Sequence, residues 1–273
     1  MKQYFFMAGL PRSGSTLLRS ILNQNPNIHI DPVSPMVELM YYNDEYFKTS
    51  EQYLAYQKPE SAYKLISGLI DSYYFDVQEP YVIDHCRAWV NNIERAKTYI
   101  TEDVKIVCPV RDVTEVLTSF ITLMHRNTKE PNFVDIELQK LGYPPTDDNR
   151  CLYLMGPDGI VYQALWAQYQ AFLRGDDKKH LHMVEYNDLV SKPQETMDDI
   201  YKFYGINSHQ HDFDNIFNHH REDESQWKLE DMHHVRRKLG KQSKDPREVL
   251  SPEILHKFSN LEYWKNPNHR FLK

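Results

Sequence analysis

Residues 4–26 read YFFMAGLPRSGSTLLRSILNQNP, and this stretch decides the fold. Residues 4–7 are apolar and aromatic, which predicts a buried strand. Residues 16–25 carry leucine and isoleucine at helical spacing, and Asn25-Pro26 predicts the end of that helix. The first amides of such a helix have no acceptor within it, so they point at whatever lies on the preceding turn. The stretch therefore predicts an anion-binding loop between a strand and a helix.

The loop at residues 9–16, GLPRSGST, has its two glycines at the spacing of the phosphate-binding motif G-x-x-x-x-G-K-[ST]. Ser15 stands where that motif has its lysine, which enzymes acting on nucleoside triphosphates use to reach the β- and γ-phosphates. The nearby cation is Arg12, whose guanidinium is a fork-shaped donor suited to phosphate oxygens. We therefore expect a phosphate ester to be held by Arg12 and by the backbone amides of Ser13, Gly14, Ser15 and Thr16.

Residues 7–26 resemble the phosphosulfate-binding loop of the sulfotransferases that use 3′-phosphoadenosine-5′-phosphosulfate (PAPS). They are similar to the P-R-S-G-[ST]-T version of tyrosylprotein sulfotransferases and many bacterial relatives. The resemblance implies an α/β, P-loop-like three-layer fold with a central, mostly parallel sheet flanked by helices. It also implies metal-independent, in-line transfer of a sulfuryl group from PAPS to a hydroxyl or amine acceptor, with adenosine 3′,5′-bisphosphate (PAP) as the product.

The order of predicted elements agrees with a parallel sheet. Strands are predicted at residues 81–85, 104–110 and 180–186, and helical patterns separate them. Residues 53–74 predict one helix. The polar, proline-containing residues 127–159 predict a long loop.

A second phosphate site is predicted after the strand at residues 104–110. Arg111 follows this strand, and Ser119 lies eight residues later in a predicted helix. Both therefore face the sheet edge at which open α/β sheets bind ligands. By the resemblance, Arg111 and Ser119 hold the 3′-phosphate of PAPS. Taken alone, the pattern also fits a helix that Asp112 caps.

Two further cofactor contacts rest on the resemblance. It implies that Tyr186 lies near the adenine, and the alternative is a strand-end tyrosine bonded to the backbone. The basic run at residues 233–241 stands where relatives fold a basic segment over the nucleotide, which makes Arg236 and Arg237 candidate contacts. The alternative is that this run, within the charged residues 221–248, is solvated surface.

Sulfuryl transfer requires stabilisation of a charged leaving oxygen, and a hydroxyl acceptor also benefits from a base. Arg12 is the catalytic candidate for the first task. His85 is the candidate for the second, because it ends a predicted strand and imidazole titrates near neutral pH. Many bacterial members of the family have Asp-Lys where this chain has Asp84-His85. The roles of base and electrophilic partner therefore both stay open for His85, as does that of a structural, hydrogen-bonded histidine.

The glutamate that tyrosylprotein sulfotransferases use shortly after the first helix has no counterpart in register. Asp31 and Glu38 are alternative bases, and the departure argues against assuming a peptidyl-tyrosine acceptor. The acceptor is left as an unknown hydroxyl- or amine-bearing molecule. Two other functions stay open: a P-loop small-molecule kinase, against which Ser15 counts, and a non-catalytic nucleotide-binding protein that kept the fold.

The composition excludes several other classes. The chain has 273 residues, 41% of them hydrophobic, which predicts one domain over residues 1–273. Its net charge of −7 argues against general binding to nucleic acid. Three cysteines without metal-ligand spacing predict a reduced compartment, and no stretch is long enough to span a membrane. The histidines at residues 209–234 match no tetrahedral template, so we expect no metal. The protein is expected to be cytoplasmic, without a signal peptide, and its oligomeric state is not predicted.

Overall fold

The fold is given by a computed structural model that describes residues 2–175, 177–220, 222–225, 227–240 and 244–265. Five strands form one sheet in the order β2-β3-β1-β4-β5, and every pairing is parallel. The strands are β1 (Gln3–Met7), β2 (Ile28–His29), β3 (Tyr81–His85), β4 (Ile106–Val110) and β5 (Leu181–Glu185). The chain builds β2 and β3 on one side of β1 and then crosses to β4 on the other side. The switch point of the sheet, where such folds bind ligands, therefore lies between β1 and β4.

Twelve α-helices are formed by the described residues. They are α1 (Ser15–Leu22), α2 (Met36–Thr49), α3 (Glu51–Ala55), α4 (Pro59–Tyr73), α5 (Ile93–Tyr99), α6 (Val113–Arg126), α7 (Phe133–Lys140), α8 (Asp147–Leu154), α9 (Ile160–Leu173), α10 (Tyr186–Ser191), α11 (Pro193–Tyr204) and α12 (Pro252–Phe258). Short 3-10 helices occur at Arg87–Asn91, Lys178–His180 and Pro246–Glu248. None of the helices in this part of the chain is long and apolar enough to cross a membrane.

The central strand shows why the fold has three layers. Successive side chains of a strand point to opposite faces. Phe5 and Met7 pack with α1 and α11 on one face, and Tyr4 and Phe6 pack with α2, α4 and α5 on the other. Both faces of the sheet are therefore covered by apolar layers, and each fully buried side chain of this size stabilises the fold by about 2 kcal/mol. The predicted α/β architecture with a parallel sheet is confirmed.

A third apolar cluster lies beside the sheet, around α6. It joins buried residues of α6, α7, α8, α9 and α12, among them Phe120, Leu138, Leu154, Leu165 and Ile254. This cluster holds α6 rigidly behind the carboxyl end of β4, because nine of the side chains of α6 are buried. The helix can therefore present its first turns at a fixed position on the ligand-binding edge.

Two sequence-based predictions of local structure are wrong. The predicted helix over residues 53–74 is broken between Ala55 and Pro59, and α4 begins with that proline. The predicted loop over residues 127–159 contains α7 and α8. Their N-caps are Asn132, whose side chain accepts from two backbone amides of α7, and Thr146, which does the same for one amide of α8. These caps satisfy amides that have no partner within the helix, so the polar residues start helices instead of a loop.

Candidate functional site

The loop after β1 has the shape of an anion cradle. Gly14 has φ 91°, a left-handed conformation that glycine adopts without strain. A Cβ at Gly9 would lie 2.2 Å from the Ser15 Oγ, so glycine is needed for the close approach of that hydroxyl. The Ser13 hydroxyl donates to the Leu10 carbonyl at 2.6 Å and closes the turn. Helix α1 has no side-chain cap and no acidic residue in its first turn, so its first amides face the loop without a competing carboxylate.

Arg12 extends from this loop toward α6. Its backbone has φ 60°, its Nε donates to the Ser119 Oγ at 3.1 Å, and its Nη1 donates to the Met232 carbonyl. Burial, and after it the neighbouring charge of Arg111, lowers the pKa of Arg12 to about 10. The guanidinium therefore stays charged at neutral pH. Burial and the neighbouring Arg111 destabilise the charged form of Arg12, so a bound anion would stabilise this guanidinium more than it would an exposed one.

Arg111 meets the loop from the other side of the switch point. Its Nη1 donates to the Arg12 carbonyl at 3.1 Å, and its Nε pairs with Glu115 at 2.9 Å. Its guanidinium stacks 4.2 Å from the centre of the buried Tyr186 ring, and a Cβ on Gly14 would lie 2.8 Å from the same ring. The structure thus brings together five residues that the sequence singled out: Arg12, Gly14, Arg111, Ser119 and Tyr186.

His85 ends β3, beside the loop. Its Nδ1 is 2.6 Å from the Pro32 carbonyl. A carbonyl only accepts hydrogen bonds, so Nδ1 carries the hydrogen and Nε2 keeps a free lone pair. Burial, followed by the charge of Arg19, lowers the pKa of His85 to about 3. The imidazole is therefore neutral at physiological pH and can accept a proton at Nε2, although it retains that proton weakly.

The residue before His85 has a different environment. Asp84 is fully buried and accepts hydrogen bonds from the Tyr74 hydroxyl at 2.9 Å and from the Trp89 indole at 2.6 Å. Burial raises the pKa of this carboxyl, and the hydrogen bonds oppose that shift. Asp84 therefore ties the end of β3 to the core and fixes the position from which His85 projects.

The two alternative bases differ in their surroundings. Asp31 is half-buried, and its carboxylate lies 3.2 Å from the His29 Nε2. The hydrogen bond with His29 lowers the pKa of Asp31, which makes the carboxylate a weaker base. Glu38 is exposed in the first turn of α2.

A segment that includes much of the charged run at residues 221–248 lies over the loop and α1. We name it the strap, and it is described over residues 213–220, 222–225 and 227–239. Its two limbs are joined by bonds from the Ile216 amide to the Arg237 carbonyl at 2.7 Å and from the Leu239 amide to the Phe213 carbonyl at 2.9 Å. The Asn218 side chain also donates to the His233 carbonyl at 3.2 Å. The strap is therefore a loop whose two limbs are hydrogen-bonded to each other.

Two arginines attach the strap to the site. Arg19 of α1 is only 1% exposed, and its Nη2 donates to the Asn218 Oδ1 at 2.7 Å and to the His220 carbonyl at 3.0 Å. Its Nη1 lies 3.7 Å from a Glu222 carboxylate oxygen. Arg12 provides the second attachment through the Met232 carbonyl. The strap thus closes over the same loop and helix that form the anion cradle.

The strap also carries a second imidazole to the site. The Nδ1 of His233 is 3.1 Å from Glu224, and its Nε2 is 3.5 Å from Glu222. Burial lowers the pKa of His233, and the charge of Glu224 opposes that shift. His233 is close enough to His85 to contribute to the lowered pKa of that residue. No sequence spacing marks this cluster, because its members meet only through the fold.

The two arginines of the basic run lie on the outer side of the strap. Arg236 is exposed. Arg237 is also exposed, and its Nη2 donates to the Asn215 Oδ1 at 3.3 Å while its guanidinium lies over the Phe217 ring. The structure does not bring either arginine into the cluster around Arg12, so their contact with a cofactor stays a prediction. Lys241, the last residue of the run, lies outside the described residues.

No group of three or more His, Cys, Asp or Glu side chains within the described ranges is arranged to hold a metal ion. This edge presents guanidinium groups, backbone amides, hydroxyls and two imidazoles. Such a donor set fits a multiply charged phosphate or sulfate ester.

Comparison with known proteins points to one family. A family model described as "Sulfotransferase family" matches residues 5–211. A sulfotransferase domain from the curacin biosynthetic pathway has 15% identity and a TM-score of 0.50, and the match covers 100% of this chain and 94% of that chain. The mouse sulfotransferase SULT7A1, in a crystal structure with PAP, has 13% identity and a TM-score of 0.52, with 98% of this chain and 86% of that chain covered. At such identities the likeness is one of fold. No curated protein sequence matches significantly.

Proposed function

Because the chain belongs to the sulfotransferase family, we propose that it transfers a sulfuryl group from PAPS to a hydroxyl or amine acceptor without a metal ion. The observation that carries this proposal is the pairing of Arg12 and Arg111 across the switch point, beside the uncapped first turn of α1. Two guanidinium groups and a row of amides match a nucleotide with phosphate groups at two positions. Ser15 stands where a triphosphate-binding loop has its lysine, which argues against a nucleoside triphosphate as the ligand.

The residues of the cradle fit this cofactor. Gly9 and Gly14 leave room where a Cβ would collide with Ser15 or Tyr186, so the loop backbone can approach a ligand closely. PAPS, when bound, supplies the activated sulfuryl group. Arg12 and the first amides of α1 would stabilise the charge that develops on the leaving phosphate oxygen. Arg111, with Ser119, would hold the second phosphate.

Two imidazoles are available to accept the proton of the acceptor. His85 is our first candidate, because the Pro32 carbonyl fixes the tautomer that leaves Nε2 free. His233 is the second, because Glu224 would stabilise the imidazolium that forms when it accepts a proton. The structure supports both, and their pH dependence separates them.

The proposed activity is tested by incubating the protein with PAPS and a panel of phenols, alcohols, sugars and amines, and measuring PAP by chromatography. Acceptor-dependent PAP formation that EDTA leaves unchanged is expected. Magnesium-dependent turnover of ATP would support a kinase instead. Binding of PAP without turnover of PAPS on any acceptor would support a non-catalytic nucleotide-binding protein.

The role of Arg111 predicts a selective loss of affinity. Arg111→Ala is expected to weaken PAP binding about 10- to 100-fold, because a charge-assisted hydrogen bond contributes about 1.5–3 kcal/mol. Binding of AMP, which lacks the 3′-phosphate, should weaken much less. The measurement is calorimetric titration of both nucleotides. Lys140→Ala, which removes an exposed cation paired with Glu137, is the control and should leave both affinities unchanged. An equal loss for PAP and AMP would contradict the assignment.

The proposed role of His85 as a base predicts an effect on kcat and a particular pH dependence of kcat. His85→Gln is expected to lower kcat about 100-fold and to leave PAP affinity within a factor of about three. Because the pKa of His85 is lowered to about 3, the wild-type imidazole stays neutral at mildly acidic pH. The kcat should therefore remain level from pH 8 down to pH 5. A fall in that range which His233→Gln abolishes would assign the base to His233 instead.

A further inference from the structure

The hydrogen-bond ladder between β1 and β4 stops where the loop at residues 9–16 begins. Its register extends up to the pair of Met7 with Val107. The next amide, that of Ala8, donates to the Val107 carbonyl at 2.9 Å. In a parallel ladder the Ala8 carbonyl would then accept from the amide two residues further along β4. That position is Pro109, which has no N–H, so the ladder offers the Ala8 carbonyl no donor.

A side chain of α9 supplies the donor instead. Gln168 is only 2% exposed, and its Nε2 donates to the Ala8 carbonyl at 2.5 Å. The Tyr263 hydroxyl donates to the Gln168 Oε1 at 3.2 Å. Because a carbonyl only accepts hydrogen bonds, the Ala8 carbonyl fixes which end of the amide carries the nitrogen. Both ends of this buried amide therefore have partners, which offsets the cost of burying a polar group in the core.

The Ala8 carbonyl belongs to a peptide group that has little room to move. A Cβ on Gly9, the next residue, would lie 2.2 Å from the Ser15 Oγ and 3.2 Å from the ring of Pro109. The Leu10 amide donates to the Pro109 carbonyl at 2.9 Å. A rotation of the peptide group between Ala8 and Gly9 would therefore move the loop against Ser15, the first residue of α1. The amides of this first turn form the proposed phosphate site.

We propose that Gln168 is a positioning residue for nucleotide binding: its side-chain amide replaces the ladder donor that Pro109 lacks and holds the peptide group between Ala8 and Gly9 in place. Tyr263 keeps the amide in the required orientation. The proposal rests on the proposed function in that the nucleotide is PAPS or PAP. The hydrogen bond itself belongs to the protein alone, so its effect can also be measured without a ligand.

The first test is Gln168→Met, which keeps the approximate length and volume of the side chain but removes the amide. Calorimetric titration should give a Kd for PAP about tenfold above that of wild type, because the buried Ala8 carbonyl loses its donor. Gln163→Met, on the same helix, is the matched control. Gln163 is exposed, and its amide also donates to a carbonyl, that of Pro157, at 3.1 Å. This control should keep the wild-type Kd, and an equal Kd in the two variants would overturn the proposal.

The second test is a rescue that a merely structural role would not produce. Pro109→Ala restores a backbone N–H opposite the Ala8 carbonyl, and the Kd for PAP is measured for this variant alone and combined with Gln168→Met. In the Pro109→Ala background, Gln168→Met should raise the Kd by no more than about twofold, against about tenfold in the wild-type background. An equal rise in both backgrounds would overturn the proposal, because the side-chain amide would then not replace a ladder donor.

Tyr263→Phe provides the same test if Gln168→Met does not fold. Without the tyrosine hydroxyl, the amide of Gln168 is free to turn its nitrogen away from Ala8. The Kd for PAP should rise about threefold in the wild-type background and stay level in the Pro109→Ala background. An unchanged Kd in the wild-type background would contradict the proposed role of the amide.

Thermal unfolding without nucleotide distinguishes failure of this proposal from failure of the proposed function. The fall in the unfolding midpoint caused by Gln168→Met should be smaller in the Pro109→Ala background than in wild type. If wild type does not bind PAP, the proposed function fails; a smaller fall would still support the replaced donor, and an equal fall would overturn it. A lowered midpoint with wild-type PAP affinity would show a contact that stabilises the fold without positioning the site, and this would also overturn the proposal.

Discussion

Arg12→Ala is expected to lower the kcat for sulfuryl transfer at least about 100-fold, because a preorganised donor to the developing charge contributes about 3–4 kcal/mol. The guanidinium remains charged at neutral pH despite its lowered pKa of about 10. It extends from the loop at residues 9–16 to Ser119, and in this position it would meet the leaving oxygen. Alanine keeps the Cβ, so the cost of the left-handed φ at this residue is the same in both proteins.

The same change should weaken PAP binding less than about tenfold, because interactions that strengthen only in the transition state affect rate more than affinity. Arg12 also holds the Met232 carbonyl, so a loss of strap order must be excluded. Urea unfolding provides that control, and it should show a loss of no more than about 2 kcal/mol. Arg12→Lys keeps the charge but loses the forked donor, and it should be intermediate in kcat. If Arg12→Ala and Arg111→Ala both had small and equal effects on rate and affinity, the division of roles would be wrong.

Gly14→Ala is expected to reduce PAP affinity at least about 100-fold, because it distorts the cradle from which the amides bind. Two causes add. The φ of 91° is strained for any residue with a Cβ, at a cost of about 1–3 kcal/mol. The new methyl group would also lie 2.8 Å from the Tyr186 ring, on which the Arg111 guanidinium stacks. The loop and Tyr186 must therefore move apart, and Arg111 moves with them.

The control for this prediction is Gly68→Ala in α4. A Cβ there meets no heavy atom within 4 Å, and the residue has helical geometry. Because alanine favours helices over glycine by about 1 kcal/mol, this variant should be as stable as wild type or more so. Its PAP affinity should be unchanged. Calorimetry and thermal unfolding of both variants provide the comparison, and wild-type affinity in Gly14→Ala would contradict the cradle.

Much of the fold could be predicted because its signals are local. The apolar strand, the glycine-containing turn and the amphipathic helix are contiguous in residues 4–26. Arg111 and His85 directly follow or end strands, and parallel strands bring their carboxyl ends to one edge. That rule predicts that Arg12 and Arg111 lie near each other, and in the structure Arg111 donates to the Arg12 carbonyl.

The remaining features depend on contacts that local sequence patterns do not encode. Arg19 and Asn218 are 199 residues apart, and only the folded chain shows that a buried arginine holds the strap. His233 and Glu224 lie in a charge run that is typical of solvated surface. The prolines near α7 and α8 are typical of a loop, whereas the caps Asn132 and Thr146 start helices there.

The central claim is that this edge binds a nucleotide with a phosphate at the 3′-position, as the proposed transfer from PAPS requires. Calorimetric titration with PAP, beside AMP and ATP with magnesium, tests that claim most directly. We predict that PAP binds, that AMP binds at least about tenfold more weakly for lack of a partner for Arg111, and that ATP with magnesium does not bind. Binding of ATP with magnesium, and none of PAP, would contradict the account and would favour a kinase function for the loop at residues 9–16.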